Sequence, residues 1–191
     1  MHNKSATEAR YRPIGPDVYQ LSGAIITVDG ADIEFLKMKA SESANGRARI
    51  CVHQSNGDGV HQMIIALHHS TYVPPHRHPK KAESFHVIDG RVVIVFFEDD
   101  GATRQVVDLE APGAERPFMH RVSEPLFHTV IPISEIVVFQ EITDGPFDPT
   151  QVEFAPWAPD ASDQNAVAKF KSRLLTNRLS DAGGLQTTDD K

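Results

Sequence analysis

Pro74-Pro75-His76-Arg77-His78-Pro79-Lys80-Lys81-Ala82-Glu83-Ser84-Phe85-His86-Val87-Ile88-Asp89-Gly90 is the stretch that decides how this chain is read. Two histidines stand one residue apart, a glutamate follows five positions after the second, and a glycine seven positions after the glutamate. Side chains alternate along an extended segment, so a separation of two points both imidazoles to the same side. Imidazole and carboxylate donors together suit a borderline divalent ion such as iron, manganese, nickel or zinc. A lone histidine is more often structural than a ligand. A histidine pair with a glutamate at this spacing, between β-like segments and closed by the turn signal Asp89-Gly90, points to a metal instead.

The rest of the chain fits a soluble protein built around that stretch. Its 191 residues, 40% hydrophobic, suffice for one domain with a buried core. The net charge of −7 leaves no basic excess to neutralise phosphates, so nucleic acid is not expected as a partner. The longest apolar run, Val92 to Phe97, is too short to span a bilayer, and Met1 to Arg10 has no apolar targeting core. The single cysteine, Cys51, excludes an internal disulfide and agrees with a reducing compartment. The expectation is a cytoplasmic protein with a small-molecule ligand and neither nucleic-acid nor membrane partner. Five of its ten histidines fall between His61 and His78.

Outward from the central stretch the pattern is almost entirely β. Residues 1 to about 16 read as a loose polar arm. Val18–Leu21 and Ala24–Val28 read as short strands. Ile33, Leu36 and Ala40 recur at helical spacing, which predicts a helix over 30–44 stopped by Asn45-Gly46. Strands are expected over Arg47–His53, His61–His69, Ser84–Ile88, Arg91–Phe97, Arg104–Leu109, Phe118–Val122, Phe127–Ile133 and Glu135–Ile142, with hairpin turns at Asn56-Gly57-Asp58-Gly59 and Asp99-Asp100-Gly101. Short strands at this spacing indicate an all-β sandwich or barrel. Residues 147–160, with Pro149, Pro156, Pro159 and Trp157, read as an irregular segment laid over it. A last helix is expected over 162–179, capped by Asp160 or Ser162, with Val167, Phe170, Leu174 and Leu175 on its apolar face, before a disordered tail from Asp181. This divides the chain into an N-terminal arm and helix (1–45), a β-barrel (46–145) and a C-terminal covering segment (146–191).

His76, His78 and Glu83 supply three ligands, and a fourth is expected from a distant strand. His128, following a proline turn at the start of an apolar strand, is the first candidate and His120 the second. The run His76-x-His78-x4-Glu83-x6-Gly90 resembles the first motif of the cupin superfamily, and His128 falls where the second motif supplies its histidine. The resemblance narrows to the WbuC-type cupin metalloproteins on Arg47-x-Arg49-x-Cys51-x-His53, Met63-Ile64-Ile65-Ala66-Leu67 and Tyr72-Val73-x-Pro75-His76-Arg77-His78-Pro79-x-Lys81-x-Glu83-Ser84-Phe85, covering about residues 45–145. There are departures. Ser70 stands where the general pattern has glycine, and Ser123, Pro125 and Pro132 replace the Pro, Gly and Asn of the second motif. The resemblance implies a double-stranded β-helix (a jelly-roll-like barrel), a site of three histidines and one glutamate, and a homodimer. It also implies an association with surface-polysaccharide metabolism.

Cupins host isomerases, dioxygenases, decarboxylases and plain binding proteins, so the fold does not choose the reaction. The leading expectation is metal-dependent action on a small polar metabolite such as a sugar derivative, with an isomerase or epimerase among the possible classes. The alternatives are a non-catalytic metal-dependent binding protein and a non-haem iron dioxygenase. Arg47, Arg49, Cys51 and His53 share one face of a strand. If that face is inward, Arg49 and His53 hold an anionic or hydroxylated ligand; if not, both arginines lie solvated at a strand edge. Lys81 reaches either the mouth of the site or solvent. Cys51 reads as a small buried residue, Phe85, Val93 and Val95 as barrel filling, and Glu141 as either a cavity base or an exposed strand carboxylate. No catalytic residue is assigned.

Overall fold

A computed structural model describes residues 10–181. Strands β1 (Arg12–Gly15) and β2 (Val18–Gln20) precede helix α1 (Gly30–Glu42). Then follow β3 (Arg47–Cys51), β4 (Val60–His68), β5 (His76–Arg77), β6 (Glu83–Asp89), β7 (Arg91–Phe97) and β8 (Thr103–Glu110). The series closes with β9 (Met119–Val122), β10 (Phe127–Pro132), β11 (Ile136–Asp144), the two-residue β12 (Glu153–Phe154) and helix α2 (Gln164–Asp181).

The strands form two facing sheets, one ordered β1-β2-β3-β4-β11-β6-β9 and the other β12-β5-β10-β7-β8. All neighbours are antiparallel except β2 and β3. This is the expected all-β double-stranded β-helix, a jelly-roll-like barrel, with one helix before it and one after.

The alternation of side chains explains how both faces of each sheet are used. Along β4, Met63, Ile65 and Leu67 point into the barrel with Phe85, Val87, Ile94, Phe96 and Phe139. Ile64 and Ala66 point outward with Ala48, Ile50 and Val138 and are covered by Leu36 and Ala40 of α1. On the second sheet, Val93, Val95 and Phe97 face away from the barrel, under Phe170 and Leu174 of α2 and beside Trp157. That double coverage is why residues 92–97 read as an unbroken apolar run. It also corrects the expectation for Val93 and Val95, which pack beneath the C-terminal cover; Phe85 does fill the barrel. No helix among the described residues is long and apolar enough to cross a membrane.

The helices begin where short polar side chains can take up free backbone N–H groups. Asp29 caps α1 in a reciprocal box with Asp32, whose carboxylate accepts from the Asp29 N–H at 2.9 Å. The cap of α2 is neither Asp160 nor Ser162. Asp160 instead accepts from the Ser162 N–H, while Asp163 accepts from the Ala166 N–H at 2.9 Å. The apolar face of α2 is the expected one, with Val167, Phe170 and Leu174 buried.

Other expectations are corrected. Ala24–Val28 is irregular rather than a strand, because its side chains have little core to face and Ile25 is 90% exposed. Part of the expected loose arm is ordered as β1, and its residues 1–9 lie outside the described residues. Asp181 closes α2, and the remainder of the expected disordered tail lies outside the described residues. Asp89-Gly90, expected as a tight turn leading into a return strand, does not pair the two strands it joins, since β6 pairs with β11 and β9 while β7 pairs with β10 and β8. Gly90 (φ +79°) is the corner at which the chain crosses between sheets; a Cβ there would meet the Ile136 carbonyl at 2.7 Å.

Candidate metal centre

β5 is only two residues long, yet its register with β10 sets His76 directly opposite His128. Their rings are 4.6 Å apart. His78 lies just past the end of β5, with its ring 5.1 Å from that of His76 and 6.2 Å from that of His128. Arg77 between them turns outward, donating to Glu153 at 2.8 and 2.9 Å and to Asp99 at 2.8 Å, with its guanidinium 4.3 Å over Phe127. Glu83 opens β6 on the opposite sheet and is buried. The barrel thus brings the four expected residues together, two on paired neighbouring strands, one just past the end of β5 and one from the opposite sheet.

Hydrogen bonds fix which ring nitrogens face the centre. Nδ1 of His76 donates to the Pro74 carbonyl at 2.9 Å, and Nδ1 of His128 to the Leu126 carbonyl at 3.1 Å. Each bond commits the ring to one tautomer and leaves Nε2 as a bare lone pair. Burial lowers the pKa of all three histidines, that of His78 to about 4 and that of His128 to about 3, so the rings are neutral at pH 7. Burial, then the nearby charge of Glu141, pushes Glu83 up to about 8. Nε2 of His78 lies 3.3 Å from one Glu83 oxygen and Nε2 of His128 lies 3.4 Å from the other. At these distances the contact is satisfied either by a proton on Glu83, whose raised pKa keeps one there at pH 7, or by a cation that replaces it. Three neutral imidazoles and one carboxylate are a donor set that fits a divalent transition ion. Among the described residues no group of three such side chains is already at metal-holding geometry, so closing around an ion requires side-chain adjustment.

Beside these residues lies a cavity of about 650 Å³, lined by all four of them and by Arg47, Arg49, Cys51, His53, Lys81 and Glu141. The face carrying Arg47, Arg49 and Cys51 is inward, which resolves the choice between cavity and solvated edge. His53 lies beyond the end of β3. Its Nδ1 is taken up by the main chain of Gln62, and its ring stacks on His61 at 4.0 Å. Lys81 lies at the mouth, donating to the Pro146 carbonyl at 3.1 Å. Cys51 is buried, and burial raises its thiol pKa. His120 does not line the cavity. It is wedged against Phe85 and Phe96, with neither ring nitrogen hydrogen-bonded, and burial lowers it to about 4.

Glu141 is the residue that sequence reasoning left open, and it faces the cavity. The signal was present in β11, where Val137, Phe139 and Glu141 share a face by alternation. Two of those side chains are buried barrel filling, so the third points inward too. Burial raises the pKa of Glu141, with Arg47 and Arg49 acting against that. Arg47 is pushed down by burial and by the like charge of Arg49.

Comparisons with known proteins agree with this architecture. The fold is a double-stranded β-helix, a jelly-roll-like barrel. A family model described as a domain of unknown function (DUF6016) matches residues 28–109, less than half of the chain. No curated protein matches the sequence. Among solved structures, protein SO0799 from Shewanella oneidensis is similar with a TM-score of 0.50 at 11% identity, over 68% of this chain and 85% of that one. An oxalate oxidase in complex with the substrate analogue glycolate is similar with a TM-score of 0.46 at 15% identity, over 61% of this chain and 58% of that one. A cupin superfamily protein from Desulfitobacterium hafniense gives 0.39 at 17% identity, over 51% of this chain and 76% of that one. This chain spans less than two thirds of the oxalate oxidase's length, and at such identities the likeness concerns the fold alone.

Proposed function

We propose that His76, His78, Glu83 and His128 hold a divalent transition metal (iron, manganese, nickel or zinc) and that the protein acts through it on a small polar molecule admitted to the cavity. The observation that carries this reading is the approach of His78 Nε2 and His128 Nε2 to the two oxygens of Glu83, beside His76, with Nδ1 of His76 and of His128 committed to the Pro74 and Leu126 carbonyls. A bound ion would supply Lewis acidity to an oxygen of the ligand. The chain's own groups orient the imidazoles and surround the site with the apolar side chains of Val73, Val130 and Phe139. A purely structural metal site would be expected in a barrel plugged by side chains. The cavity beside these residues supports action on a ligand instead.

The test is metal content after anaerobic purification, together with titration of metal-free protein by Mn(II) followed by electron paramagnetic resonance. About one ion per chain is expected, with loss of binding in His78→Ala. Equal metal content in His78→Ala and the wild type would reject the site. Oxygen uptake by iron-loaded protein against a panel of small metabolites then separates the dioxygenase class from the redox-neutral ones.

A further inference from the structure

Five arginines of the described chain have a carboxylate partner, Arg10 with Asp32, Arg77 with Glu153, Arg91 with Asp108, Arg104 with Glu124 and Arg116 with Glu110. Arg47 and Arg49 do not. Both line the cavity, and among the described residues neither side chain has a hydrogen bond or an ion pair. Nε of Arg49 is buried without any partner. The register explains why. Across the β3–β4 ladder Arg47 stands opposite Leu67 and Arg49 opposite Ile65, and on its other side Arg49 meets Val18. None of these side chains accepts a hydrogen bond. Glu141 shares the cavity but forms no ion pair with either guanidinium.

Two like charges partly withdrawn from water, with the one carboxylate of Glu141 sharing the cavity and no direct ion pair, are unfavourable unless something further compensates them. They lie two residues apart on one face of a strand, about 6.6 Å along it, close enough for both planar forks to converge on one oxyanion. We infer that Arg47 and Arg49 form an oxyanion-binding subsite inside the cavity, and that the small molecule taken up there carries a carboxylate or phosphate group. This deepens the functional reading above, on which it rests for the claim that the cavity admits a ligand. The subsite and the His76–His78–Glu83–His128 cluster line the same cavity, together with the apolar Ile65, Leu67 and Val130.

The probes are inorganic phosphate and succinate, titrated calorimetrically into the full chain with and without Mn(II), while arginine Nε–H signals are followed by nuclear magnetic resonance. One anion site is expected, at which the two probes compete, with a shift of the Arg49 Nε–H signal. Arg47→Gln and Arg49→Gln should each weaken binding by about tenfold or more, while Arg49→Lys retains more of it and Mn(II) stoichiometry is unchanged. The tighter probe identifies the anion class. If neither anion binds, or both glutamine variants bind like the wild type, the subsite is rejected. Should the variants not fold, the Arg49 signal of the wild type decides, and its failure to move on saturation also rejects the subsite. Anion binding without Mn(II) binding would reject the metal reading and leave the subsite standing, whereas Mn(II) binding without anion binding would do the reverse.

Discussion

His76 and His128 stand directly opposite each other in the β5–β10 pair, 52 positions apart in sequence and 4.6 Å apart between ring centroids. Each is held by a bond from Nδ1 to a carbonyl two residues before it in its own chain. The pair behaves as one preset element, so removing either ring should open the centre. His76→Ala and His128→Ala are each expected to lose more metal affinity than the roughly 10–100-fold that loss of an outer hydrogen bond costs. Competition against a fluorescent chelator measures this, and near-wild-type affinity in both variants would contradict the site.

Arg77 lies between two of the proposed ligands but points away from them, clamped by Glu153 and Asp99 and lying over Phe127. It fixes the short β5 strand from outside. Arg77→Ala should lower metal affinity by about tenfold, as loss of an orienting partner does, with the Mn(II) stoichiometry still near one per chain. An unchanged dissociation constant would show that β5 needs no such clamp.

Asp32 is fully buried and receives Nε and an Nη of Arg10 at 2.8 and 2.7 Å, the Tyr11 hydroxyl at 2.7 Å and the Asp29 N–H at 2.9 Å. Burial opposes its charge, but these donors outweigh burial and hold its pKa below 3.8. A folded-state pKa below the unfolded value adds stability that is present above the unfolded value. That stability is lost as pH falls through the folded value. Asp32→Asn should therefore flatten the acid limb of the stability curve below about pH 4, and Asp32→Ala should destabilise by about 3 kcal/mol at pH 7. Urea unfolding at pH 3 to 7 provides both readings; an equally steep acid limb in Asp32→Asn would assign the sensitivity elsewhere.

Gly145 ends β11 against the turn that carries Asp58. A Cβ there would run into the Asp58 carbonyl and come within 2.7 Å of the His61 ring. Since His61 stacks on His53 at the cavity wall, Gly145→Ala should displace that pair as well as destabilise the fold by about 1–3 kcal/mol. Histidine ring signals in nuclear magnetic resonance would report the displacement. Unmoved signals for His53 and His61 would mean that the loop yields without disturbing the wall.

The strand segments of the barrel were legible where local chemistry is strong. Met63, Ile65 and Leu67 alternate with Ile64 and Ala66, and turns follow from Asn-Gly and Asp-Gly pairs. Where position depended on what a segment packs against, it was not. Ala24–Val28 has strand composition but little core to face, and Val93 and Val95 read as interior until α2 and Trp157 supply a second apolar layer outside. The Asp89-Gly90 turn has the same local signature as a hairpin, and only the pairing of β6 and β7 with other strands shows it to be a crossover.

The sequence by itself determined the fold class and grouped His76, His78 and Glu83, because alternation, turn residues and a His-x-His-x4-Glu spacing are local properties of the chain; for a fourth residue from a distant strand it offered His128 first and His120 second. It could not say whether Arg47, Arg49 and Glu141 face solvent or one another. That choice depends on which face of β3 and β11 the α1 helix covers. With Ala48, Ile50 and Val138 beneath the helix, the alternate residues turn inward. The tertiary structure alone therefore placed two unpaired guanidinium groups and a buried carboxylate in the same cavity as the histidines.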